Sequence, residues 1–127
     1  MKFLKPTVFF TAGGTGYVLL ELLWRRRSHI SMFCAGGACF LLLGQLRRRR
    51  LPLLSRAVLG SLAITSVELT AGLLINRDYK VWDYRKEPFN FRGQICPRFS
   101  LLWLPVSLGG MWLHSSLDSL YSRIANP

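Results

Sequence analysis

The chain has 127 residues, half of them hydrophobic, and carries 17 Lys and Arg against 6 Asp and Glu, a formal net charge of +11. That length allows one domain, residues 1–127, and excludes a large multi-domain enzyme. Four windows, 7–24, 30–46, 57–75 and 99–117, hold only Glu21 and Glu68 of the 23 formal charges. A soluble domain would place charges along the solvent face of every helix, and 127 residues cannot surround four uniformly apolar helices with protein. The pattern predicts an all-α, polytopic integral membrane protein with four transmembrane helices.

Each window is close to the shortest that crosses a hydrocarbon core of about 30 Å at about 1.5 Å per residue. Four short spans imply little tilt, or a locally thinned bilayer. Lys2 and Lys5 precede the first span in the manner of a secretory leader. The apolar run continues to Trp24 with no small-x-small cleavage site, and Arg25-Arg26-Arg27 ends it. An uncleaved first span is expected. Ala12-Gly13-Gly14-Thr15-Gly16 lies inside it, and Ala35-Gly36-Gly37-Ala38 lies inside the second. Small residues let helix backbones approach closely in lipid. Ala12 with Gly16, Ala35 with Cys39, and Ser66 with Thr70 have the small-xxx-small spacing. The glycine run lacks the Lys-Ser/Thr of a phosphate loop and follows no strand, so ATP hydrolysis by this chain alone is not expected.

Only residues 25–29 separate spans 1 and 2, which form a tight antiparallel hairpin. Cys34 and Cys39 point about 140° apart on a helix. With Cys96 they make an odd set with neither CxxC nor histidine at ligand spacing. No disulfide framework, metal site or cofactor is expected. Between spans 2 and 3 stand Arg47–Arg50 and Arg56, with Pro52 suited to the first turn of span 3. Beside a membrane span such a basic block favours anionic lipid head groups and sets topology; nucleic acid is not expected. The two sides of the membrane carry 8 and 9 Lys and Arg. The compact arginine block puts its side, with both termini, in the cytoplasm.

Residues 77–98 are too long and too aromatic for a simple connector, and such loops tend to be functional. The run Trp82-Asp83-Tyr84-Arg85-x-x-Pro88-Phe89-Asn90-x-x-Gly93-Gln94-Ile95-Cys96 is followed by Phe99-Ser100-Leu101-Leu102-Trp103. It closely resembles the signature of the putative ABC-transporter type IV membrane proteins of bacteria, mostly Gram-positive. Tyr17-x-x-x-Glu21-Leu22-x-Trp24-Arg25, Ser28-His29 and Ala63-Ile64-Thr65-x-x-Glu68 resemble the same family, so the likeness covers most of the chain. Arg85 departs from the pattern, which has Ser there. The resemblance implies a permease-like membrane subunit of an ABC-type transporter in a bacterial cell membrane, multi-pass.

Connectivity collects the candidate site. Spans 1 and 3 run parallel, so Glu21, Glu68, residues 25–27, His29 and the 77–98 loop share one half of the bilayer. Intramembrane ionisable residues default to function. Glu21 can alternatively pair with Arg25 one turn on. Glu68 has no basic residue at i±3 or i±4, so it is neutral, bonded across helices, or facing a wet cavity. Trp82, Tyr84 and Trp103 suit either a site or interfacial anchoring. Asn90 and Gln94 suit ligand contact or the satisfaction of freed backbone groups. The expected binding residues are therefore Glu21, His29, Glu68, Trp82, Asp83, Tyr84, Asn90 and Gln94, around a polar pocket between spans 1 and 3. The Trp82–Gln94 loop should cap it, burying Trp82 and Phe89, with Asp83 near the Arg25–Arg27 turn. His114 and Asp118 carry no evident site.

No catalytic constellation is present, and an enzyme is not expected. A transporter would need a separate ATPase chain, and four spans are too few to enclose a pathway without a second copy or a partner membrane subunit. The alternative is a non-transporting scaffold or regulatory subunit that binds a partner protein through the Trp82–Gln94 loop.

Overall fold

The computed structural model describes residues 4–26 and 29–125, without the side chains of Trp24 and Arg25. Lys2, Arg27, Ser28 and the expected Arg25 pairings lie outside the described residues. Four helices account for most of the rest: α1 (Leu4–Arg25), α2 (Ile30–Arg48), α3 (Leu53–Ile75) and α4 (Pro97–Ala125). No strand occurs among the described residues, and the extended pairing is a lone bridge between Phe91 and Ile95. The helices contain the four apolar windows and overrun them. The largest excess is in α4, whose 29 residues continue eight positions past Leu117. By length and composition, α2 and α3 are apolar enough to cross a membrane.

Local chemistry sets the helix boundaries. His29 is the N-cap of α2: its Nδ1 accepts from the Ser31 amide at 3.1 Å and lies 2.8 Å from Ser31 Oγ. It thus satisfies a donor that the first turn leaves orphaned. Pro52 stands one position before α3, as its N-cap, instead of within the first turn. Asn76 closes α3, its amide reaching back to the Gly72 carbonyl. Pro105 lies inside α4 and withdraws a donor from the preceding turn. In that turn Ser61 Oγ donates to the Ser100 carbonyl at 2.6 Å, and Thr65 Oγ1 lies 2.9 Å from Ser100 Oγ. Two α3 hydroxyls therefore support the weakened stretch of α4.

Helix α1 packs along α2, α3 packs along α4, and α2 also contacts α3 and α4. The α1–α2 seam uses the glycines. A Cβ on Gly37 would stand 2.7 Å from the Phe10 carbonyl oxygen, and one on Gly13 would overlap the Phe40 side chain. The seam is offset by one residue from the expected spacing. Gly13, Gly14, Gly36 and Gly37 make the close approach, Gly13 and Gly36 also bordering a cavity that Ala12, Gly16, Ala35 and Cys39 line. Ser66 is exposed and bonds its own helix at the Leu62 carbonyl, so it builds no helix seam.

At the far end from the 77–98 loop, polar and aromatic groups fasten α1, α2 and α4 together. Asp118 forms an ion pair with Lys5 at 2.6 Å and accepts from Arg47 at 2.9 Å. Arg47 Nε also reaches His114 Nδ1 at 3.4 Å. The buried Phe9 ring stands 4.8 Å from the His114 ring and 6.0 Å from that of Tyr121. His114 and Asp118 thus have a structural task that the sequence did not disclose.

Candidate functional site

Helix α1 meets α2 along its length and meets α4 through individual side chains such as Tyr17, whose ring is 6.4 Å from that of Trp103. Between α1 on one side and α3 and α4 on the other lies a cavity of about 450 Å³, with α2 as its floor. All four helices and Trp82 of the loop contribute to its wall. The expected site between spans 1 and 3 is thus enlarged to a space shared by every helix. Its expected polarity is corrected: apolar and small side chains dominate the wall, because each helix turns its apolar residues inward as well as outward. Glu68 is the one acidic residue among those lining it.

Glu68 is 7% exposed. Trp103 Nε1 donates to its Oε1 at 2.8 Å, and the Tyr84 hydroxyl donates to its Oε2 at 3.1 Å. Among the described residues no Lys, Arg or His forms an ion pair with it. Both donors come from the signature run, one from the loop and one from α4. Glu21 is also buried, one turn beyond Tyr17 on α1.

The loop is seated by one side chain that sequence reasoning missed. Asn76 is fully buried. Its Nδ2 donates to the Trp82 carbonyl at 2.6 Å and to Gln94 Oε1 at 2.9 Å. Its Oδ1 accepts from the Val81 and Trp82 amides at 2.9 and 3.3 Å, and its carbonyl accepts from Gln94 Nε2 at 3.0 Å. Trp82 Nε1 completes the knot by donating to the Gln94 carbonyl at 2.9 Å. An asparagine directly after a long apolar run was the available signal, because its amide can close a helix and a turn at once.

The capping expectation divides at this knot. Trp82 is buried at 3% and borders the cavity, and the Tyr84 ring stacks on Phe99 of α4 at 4.7 Å. Burial beside Glu68 raises the Tyr84 phenol above its ordinary value. Phe89 is the correction: it is 91% exposed. Its backbone is left-handed, with φ of 58°, a conformation that here carries the ring outward. Asn90 secures the turn, donating to the Arg85 and Glu87 carbonyls and accepting from the Gly93 amide at 2.9 Å.

His29 and Asp83 are placed differently from the sequence reading, and Asn90 and Gln94 take the backbone-bonding alternative. His29 caps α2 and is exposed. Asp83 pairs with Arg85, at 2.9 and 2.8 Å to the two guanidinium nitrogens, because two residues in one turn meet more readily than distant elements. The hydrogen bonds from Arg85 bring its carboxyl down to about 2. Asn90 bonds backbone inside the loop, and Gln94 bonds Asn76 at the end of α3. Arg85, the departure from the signature, also lays its guanidinium 4.2 Å from the Tyr79 ring centre. Glu68, Trp82, Tyr84 and Trp103, with Tyr17, are what the structure brings together.

The sequence matches, over residues 7–126, the family described as Putative ABC-transporter type IV. No curated protein and no solved structure matches the chain.

Proposed function

The chain belongs to the Putative ABC-transporter type IV family, and from that premise we propose that it is a permease-like membrane subunit of an ABC-type transporter. It crosses a bacterial cell membrane four times, with both termini and the Arg47–Arg50 loop in the cytoplasm. The observation that carries this reading is the cavity of about 450 Å³ with one carboxylate in its wall. That volume falls within the range of small-molecule sites. At 22 and 29 residues, α1 and α4 also have the length to cross a hydrocarbon core of about 30 Å.

The role asks no bond chemistry of this chain; an ATPase comes from another polypeptide, and a second copy or a partner membrane subunit completes the pathway. The arginine block meets anionic head groups at the cytoplasmic surface, and no nucleic acid is involved. Purification in mild detergent, with identification of the chains that accompany it, tests the assignment. Recovery of an ATPase in fixed proportion supports it. Repeated isolation without one, from cells expressing the native operon, overturns it. Orientation is read separately: an external thiol reagent should label Lys80→Cys and leave Arg49→Cys untouched.

A second reading has its own observation. Phe89 is almost wholly exposed and Phe91 half so, on the same loop that lends Trp82 to the cavity wall. Two exposed aromatics on a well-bonded loop suit a docking surface, and a scaffold or regulatory subunit would use it. Loss of a co-purifying protein in Phe89→Ser, with the ATPase absent throughout, would favour this reading.

A further inference from the structure

We propose that the cavity binds lipophilic monocations, held by their apolar bodies against the helices and by their charge against Glu68. This deepens the transporter reading by naming a substrate class, and it rests on that reading only for the step of transport. The argument begins with charge. The chain has 17 Lys and Arg, yet among the described residues none pairs with Glu68. Its carboxylate is held by two neutral donors, Trp103 Nε1 and the Tyr84 hydroxyl. Both fix its oxygens, and neither brings a positive charge. Ionising a buried carboxyl without a counter-charge is expensive in a low-dielectric surrounding, and a cation entering the cavity offsets that expense.

The walls specify the rest of the ligand. Ala12, Gly16, Val106 and Gly109 line the cavity and offer no hydrogen-bonding side chain. A hydrated inorganic cation would lose its water there and gain one carboxylate. A lipophilic cation loses little hydration and gains apolar contact. Two lining glycines leave the space unfilled: a Cβ added at Gly16 or Gly109 would meet nothing within 4 Å.

The test is equilibrium binding to the full chain in nanodiscs of zwitterionic lipid, with empty nanodiscs as reference. Tetraphenylphosphonium and tetraphenylborate are the probes, alike in shape and opposite in charge. Saturable binding of the phosphonium, with the borate only partitioning into lipid, is expected. Glu68→Gln should weaken phosphonium binding about thirtyfold or more, as loss of one partner from a buried charge pair does. Gly16→Leu keeps the carboxylate and fills the space, and it too should abolish saturable binding. It keeps the proposal testable should Glu68→Gln fail to fold. Equal binding of both ions, or phosphonium binding untouched by Gly16→Leu, overturns the proposal. Because the assay needs no ATPase, failed co-purification with intact phosphonium binding removes the transporter role and leaves the site, and the converse removes the ligand class alone.

Discussion

Trp103 donates its indole N–H to Glu68 across the α3–α4 seam at 2.8 Å, joining the one acid of the cavity wall to the last residue of the signature run. The bond explains how a carboxylate tolerates the middle of an apolar helix. It also explains why an aromatic with a donor stands there: Phe would fill the same space and leave the oxygen bare.

Trp103→Phe is accordingly expected to lower stability by about 1–3 kcal/mol, the range for a buried polar atom deprived of its partner. Tyr84→Phe removes the other, longer bond. The double variant should differ from the sum of the two, because both act on one carboxylate. Thermal unfolding in detergent, run as a double-mutant cycle, measures the coupling.

Asn76→Ala should free the loop and leave the helices intact. Its side-chain amide bonds residues on both arms of the loop, and Ala replaces none of those bonds. Limited trypsin digestion is the measurement. Cleavage after Arg85 or Lys86 should accelerate markedly, while far-ultraviolet helicity stays within a few per cent of the native value.

Two glycines make opposed cases. Gly37→Ala puts a methyl group against the Phe10 carbonyl and should destabilise the α1–α2 hairpin by about 1–3 kcal/mol. Gly16→Ala meets open space and should be neutral, or stabilise by about 0.5–1 kcal/mol through the stiffer unfolded chain. A helix seam running through Gly16 would reverse the order of their unfolding temperatures.

Acid should loosen the Asp83–Arg85 contact late. The folded carboxyl lies at about 2 against a usual 3.8, so it is depressed. Its contribution is complete above the usual value and disappears as pH falls through about 2. Only three aspartates are present in the chain, so carboxyl-labelled Asp gives a readable NMR titration. In Arg85→Ser the Asp83 midpoint should rise toward 3.8.

The helices were legible because charge is confined to their ends, and the apolar windows needed extension by only a turn or two. Glu68, Trp82 and Tyr84 were legible as site residues because polar groups beside or within apolar runs need a reason. The register of the small residues was not. A step of one residue turns a helical side chain by about 100°, so Ala12 and Gly13 face different neighbours while sharing the same spacing pattern. Asn76 escaped because its partners are brought to it only when the loop has closed. Phe89 escaped for a backbone reason: apolar character forecasts burial, but a left-handed turn points the ring away from the helices.

The knot at Asn76 divides the α3–α4 connection into a neck and a tip. Val81, Trp82 and Gln94 form the neck, and Tyr84 is pinned just beyond it by Glu68. Residues 85–92 extend beyond that neck, held by bonds within the loop and by the Glu87–Arg98 ion pair to α4 at 3.5 Å. Lengthening such a segment adds only about 0.6 kcal/mol of closure entropy per doubling. The tip can therefore accept an epitope insertion while Trp82 keeps its place in the cavity wall, and Arg85, the one residue out of pattern, stands in this outer part of the loop.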